Sequence, residues 1–135
     1  MSTQRIEIQP EAIMHEASNL TPAELDLLPF GAIHVDRNGI IDAYNVAEEQ
    51  LASRTRGDVM GKMFFTQVAP CTRVKSFYGA FQEGILRGHL NEVFDFSFLF
   101  PHGAREVRIR MIYSEIPKPG VWIFVTPLQT ASESQ

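Results

Sequence analysis

The stretch Val121–Val125, Val-Trp-Ile-Phe-Val, constrains the fold more than any other part of the chain. A run of apolar side chains this short, rich in β-branched and aromatic residues, suits a strand. Successive side chains of a strand point to opposite faces, so both faces of this one are apolar. Such a strand belongs in the middle of a sheet covered on both sides. The rest of the chain must therefore supply a neighbour on each edge and a layer on each face.

The last third supplies neighbours. Phe94, Phe96, Phe98 and Phe100 alternate with Asp95, Ser97 and Leu99, a period of two that sets the aromatic rings on one face. Pro101–Ala104 reads as a turn. Glu106–Ser114 alternates again, with Val107, Ile109, Met111 and Tyr113 on one side and Glu106, Arg108 and Arg110 mostly on the other. Pro117–Gly120 turns the chain into the apolar strand. Nearer the start, Gly31–Val35 reads as a strand, Asp36–Gly39 as a hairpin turn and Ile40–Tyr44 as the return strand.

Helical signals fill the remainder. Residues 1–9 show no period, and Pro10 can open a short helix through Ser18. Thr21-Pro-Ala-Glu24 offers an N-cap, a proline in the first turn and a capping-box glutamate, for a helix that Pro29 stops near Leu28. Asn45 is a good N-cap for a helix over Val46–Ala52. Residues 53–75 read as an irregular loop, broken by Gly57, Gly61 and Pro70, and a loop so long inside a domain is usually functional. Ser76 is expected to cap a helix in which Phe77, Phe81 and Ile85 share a face and which Gly88 ends. Residues 1–28 are thus expected to form a helical cap, 29–127 the core of the same domain, and 128–135 a mobile tail. No internal repeat is present.

Composition narrows the function. At 135 residues the chain is one domain with room for a real core. A net charge of −4 gives no basic surface for nucleic acid. No apolar run has membrane-spanning length, and the N-terminus lacks the order of a signal peptide. The single cysteine, Cys71, can form neither an internal disulfide nor a thiolate metal site, which favours the cytoplasm. His15, His34, His89 and His102 are scattered, with no spacing that marks a metal site or a cysteine–histidine dyad. No kinase, cyclase or DNA-binding segment is attached, so any signal is expected to pass by non-covalent contact, from a monomer or weak dimer.

Candidate chemistry centres on few residues. Tyr44 and Glu48 stand four apart at the mouth of the Asn45-capped helix, where both can face one cavity, and Arg54 follows. On residue types alone, Glu48 and Glu49 serve equally well as solvated acids suited to the helix dipole, Tyr44 as a half-buried strand end and Arg54 as a surface residue. Cys71 is either buried and inert or chemically used. The four-phenylalanine face reads first as core.

In combination these residues are more specific. PFGAI at Pro29–Ile33, YNxAE at Tyr44–Glu48, GKxFFxxVAPCT at Gly61–Thr72 and FYGxFxEG at Phe77–Gly84 resemble the photoactive yellow protein family, and the resemblance runs from Asp26 to Val125. It implies an α+β PAS fold: a five-stranded antiparallel sheet with helices on one face and an N-terminal helical cap on the other. It implies a blue-light photoreceptor, not an enzyme, with p-coumaric acid (4-hydroxycinnamic acid) joined to Cys71 as a thioester. Tyr44 and Glu48 would hydrogen-bond the phenolate, Arg54 would shield it from water, and the Cys71 N–H would bind the thioester carbonyl. Phe64, Val68 and Phe98 would be apolar walls. Isomerisation would draw a proton from Glu48 and loosen the cap as the signalling state, read by a downstream protein yet to be identified. The alternative is a PAS module that binds a ligand or dimerises without photochemistry.

The chain departs from the family at three places. Ala52 stands where members often have a threonine that braces the tyrosine. His102 stands where well-known members have a methionine near the chromophore, and is either a pH-sensitive modulator of recovery or a plain turn histidine. Phe100 stands where some have tyrosine.

Overall fold

The computed structural model describes residues 10–116 and 118–128. The aperiodic residues 1–9, Pro117 of the expected turn and all of the expected tail beyond Leu128 lie outside the described residues. Five antiparallel strands form one sheet in the order β2-β1-β5-β4-β3. They are β1 Gly31–Asp36, β2 Ile41–Tyr44, β3 Asn91–Phe100, β4 Gly103–Ser114 and β5 Gly120–Pro127. The helices are α1 Pro10–His15, α2 Pro22–Leu25, α3 Val46–Ala52, α4 Arg56–Val59 and α5 Ala80–Arg87.

β5 is central, and its period of two divides the core. Val121, Ile123 and Val125 join a large cluster with Ile33, Phe64, Phe77 and Phe98. Trp122 and Phe124 join a second cluster, on the opposite face, with Met14, Ala17, Leu25 and Phe30. Both faces of the apolar strand are covered, one of them by the N-terminal helical pieces. The β3 phenylalanines share the large cluster, Phe98 and Phe100 buried and Phe94 and Phe96 packed against it.

The N-terminal layer follows its signals. Thr21 and Glu24 close a reciprocal capping box, with the Glu24 N–H 3.1 Å from Thr21 Oγ1 and the Thr21 N–H 2.9 Å from Glu24 Oε1. α2 ends at Leu25, short of the expected Leu28. The Leu27 and Leu28 N–H groups bond back to Glu24 and Leu25 in tight turns, as the chain leaves helical geometry before Pro29.

Three local readings need correction. The return strand begins at Ile41, because Ile40 instead bridges Met63. Residues 53–75 are not irregular: they hold α4, a π turn Phe64–Val68 and a 3₁₀ turn Pro70–Thr72. Ser76 caps nothing, since it lies inside a second π turn, Lys75–Gly79, that runs straight into α5. Gly88 ends α5 as expected, in the left-handed conformation at φ 68°. The π turns have a visible use. They bury Phe64, Phe65 and Phe77 together, with ring centroids 5.0–6.1 Å apart, beneath the sheet face that carries the β3 rings.

Candidate functional site

Asn45 fixes the site's frame. Its Oδ1 accepts from the Glu48 N–H at 3.1 Å, capping α3, and from the Ala32 N–H of β1 at 2.9 Å. Its Nδ2 donates to Leu25 O at 2.8 Å and Phe30 O at 3.1 Å. One buried amide therefore ties the first turn of α3 to β1 and to the N-terminal layer. This start directs the first turn of α3 over β1, and Glu48 goes inward.

Glu48 is 1% exposed, and its Oε1 has no hydrogen-bond partner. Burial alone raises its pKa to about 8, so the carboxyl carries its proton at neutral pH. Tyr44 is likewise buried. Its phenol is held above the ordinary range, by burial first and by the Glu48 charge second, with the Arg54 charge opposing. Two protonated O–H groups thus lie side by side in an apolar wall.

Both line a cavity of about 20 Å³. Ala52, Arg54, Phe64, Val68 and Phe98 line it too, so the structure brings seven of the nine expected site residues to one place. Arg54 crosses its edge, Nη1 donating to Val68 O at 2.7 Å. Ala52 is buried in the same wall and offers no hydroxyl. Cys71 is not part of the lining. It is half-buried on the 3₁₀ turn Pro70–Thr72 and packs against the same core. Ala69, two residues earlier, does line the cavity. The buried Thr72 pins this turn, its Oγ1 donating to Ala69 O at 2.6 Å. His102 lies outside the lining as well. It is exposed, with its ring 5.5 Å from that of Phe100.

Ala69, Leu99, Phe100 and Pro101 complete the wall and were not expected there. Phe100 was discoverable, because its alternation with Phe98 puts both rings on one face. They stack at 4.6 Å with an interplanar angle of 16°. Nothing in the sequence marks Ala69 or Pro101. Among the described residues no cluster of His, Cys, Asp or Glu could hold a metal ion, and no helix is long and apolar enough to cross a membrane.

Known proteins share this fold and much of this sequence. The PAS fold family matches residues 19–126. The photoactive yellow protein of Rhodothalassium salexigens is 38% identical over 120 residues, spanning 89% of this chain and 95% of that one. That of Halochromatium salexigens is 36% identical over 116 residues, spanning 86% and 92%. Among solved structures, the photoactive yellow protein domain from the sensor histidine kinase Ppr of Rhodospirillum centenum aligns with a TM-score of 0.77 at 42% identity. It covers 84% of this chain and 98% of that domain. Sharing the five-stranded PAS sheet and more than a third of the aligned residues with proteins whose length it nearly spans, the chain belongs to the photoactive yellow protein family of sensory photoreceptors.

Proposed function

We propose that this chain is a blue-light sensor in which Cys71 carries p-coumaric acid as a thioester and Tyr44 and Glu48 hold its phenolate oxygen. The observation that carries the reading is Glu48: a fully buried, protonated carboxyl with an unpaired Oε1, beside a protonated tyrosine. An anion in an apolar wall needs strong donors, and two O–H groups are such donors. The only thiol of the chain sits on a turn that packs against the same core. The donor set fits the group. The free space does not hold it as it stands, because about 20 Å³ takes roughly one water. Loading would therefore have to open this wall, which includes Phe64, Val68 and Phe98.

When bound, the coumaroyl group supplies light absorption, a double-bond isomerisation and a phenolate whose proton affinity rises as it leaves its donors. The protein's residues do the rest. Arg54, bonded to Val68 O, keeps water from the donor end. Glu48 would pass its proton to the phenolate oxygen and become a carboxylate without a partner, a state unfavourable by several kcal/mol. Asn45 feels this first, because it bonds the Glu48 N–H and the carbonyls of Leu25 and Phe30. The N-terminal layer loosens as the signalling state. The loosened layer passes the signal to a downstream signalling partner in the cytoplasm, and a role in signalling is in keeping with the R. centenum domain, which comes from a sensor histidine kinase.

Reconstitution with activated p-coumarate tests this. The protein should gain the mass of one coumaroyl group at Cys71, absorb in the near-ultraviolet or blue, bleach on illumination and recover in darkness. Cys71→Ala should lose all of these. Loading elsewhere, or a band that light leaves unchanged, would overturn the proposal.

A further inference from the structure

Gly31 is a glycine in the first position of a buried strand, where a residue without a side chain weakens pairing and usually marks a close approach. The backbone does not require it. The glycines at positive φ among the described residues are Gly39, Gly61, Gly88 and Gly103, so Gly31 has a conformation open to other residues. What excludes a side chain is space. A Cβ on Gly31 would overlap Glu48 Oε1 and would lie 3.0 Å from Glu48 Cδ and 3.3 Å from Glu48 Cβ. The whole Glu48 side chain lies along the bare backbone of β1. Register gives the direction. Gly31 shares a strand face with Ile33, two residues on, and Ile33 stands opposite Tyr44. The recess therefore opens on the face that carries Tyr44.

We infer that Gly31 is a positioning residue of the light-sensing site: its missing side chain forms the recess that seats the Glu48 carboxyl beside Tyr44. This rests on the proposed role of Glu48 as phenolate donor. The oxygen that a methyl group would displace is Oε1, the unpaired one. Gly31→Ala thus moves the donor atom itself while leaving Glu48, Tyr44 and Cys71 chemically intact.

Two measurements test it. In coumaroyl-loaded protein, Gly31→Ala should weaken the Glu48 bond to the phenolate. The pH midpoint between protonated and anionic chromophore should then rise by about one unit, a tenfold change in proton affinity. The infrared band of the protonated Glu48 carboxyl should shift with it. In Glu48→Ala protein, where no carboxyl remains to displace, the same Gly31→Ala change should leave the midpoint nearly still. An unmoved midpoint and carboxyl band in Gly31→Ala, in protein that loads and bleaches normally, would overturn the inference.

The second measurement needs no chromophore. Urea unfolding of wild type, Gly31→Ala, Glu48→Ala and the double variant forms a double-mutant cycle. Gly31→Ala should lower the unfolding midpoint clearly in wild type and far less beside Glu48→Ala. If Gly31→Ala alone fails to fold, the double variant should restore folding. Equal losses in both backgrounds would overturn the recess. Should wild type not load chromophore at all, the proposed function fails while this cycle still decides whether Gly31 seats Glu48.

Discussion

Glu48 keeps its proton because nothing around it solvates the charge, and that fact is measurable without light. Its pKa of about 8, set against an ordinary 4.5, means that the folded state binds more protons than the unfolded chain between those values. Stability from this group is full below pH 4.5, falls as pH rises and is lost above pH 8, by an amount on the order of several kcal/mol. Asp42 shows the opposite balance. Burial pushes its carboxyl up, but the His34 hydrogen bond at 2.6 Å and Lys118 at 2.8 Å outweigh it and hold the pKa below the usual range. Its contribution disappears on the acid side and cannot mimic that of Glu48. Chromophore-free Glu48→Gln should accordingly match wild type near pH 5 in urea unfolding and exceed it by several kcal/mol near pH 9. Equal slopes with pH in the two proteins would remove Glu48 as the responsible group.

At the scale of elements, α3 depends on one side chain more than on its own length. It spans Val46–Ala52, too short to persist on propensity alone. Asn45→Ala removes its cap and orphans the buried Ala32 N–H and Phe30 carbonyl, while Leu25 O keeps the Leu28 N–H. Losing the cap costs about 1 kcal/mol and each orphaned group about 1–3 kcal/mol, so denaturation should show a loss of at least 3 kcal/mol. Asn45→Ser keeps a capping hydroxyl, loses the amide donor and should fall between. A variant as stable as wild type would mean that water replaces the amide. Asn45 was legible as a cap because its residue type and place say so, but its second role was not, since the carbonyls it reaches lie 15 and 20 residues earlier. The same limit applied elsewhere. The alternating β3 rings and the two-faced β5 announce themselves by period. The π turns at Phe64–Val68 and Lys75–Gly79 are shorter than two helical turns and have no repeating pattern to read. Glu48 looked like a first-turn acid. Its burial depends on Gly31, a partner that sequence spacing does not link to it.

Over the whole molecule, the two faces of β5 are the natural route from light to output. The cavity lies on one face and the N-terminal layer on the other, and Asn45 joins them. Trp122, the only tryptophan of the chain, lies under that layer. It is 5% exposed, stacked near Phe124 at 5.8 Å, and its indole N–H donates to Ser18 Oγ at 2.8 Å. Ser18 in turn contacts Ser114 Oγ of β4 at 2.6 Å. Release of residues 10–28 would break the Ser18 bond and open Trp122 to solvent. Illumination of coumaroyl-loaded protein should therefore raise acrylamide quenching of Trp122 and shift its emission to the red, both reversing in darkness. Quencher access is the safer reading than brightness, since a bleaching chromophore changes energy transfer from tryptophan by itself. Glu48→Gln, which cannot leave a buried carboxylate behind, should bleach with much less change at Trp122. Unaltered quencher access in wild type during full bleaching would confine the light-driven change to the cavity face of the sheet and detach the N-terminal layer from signalling.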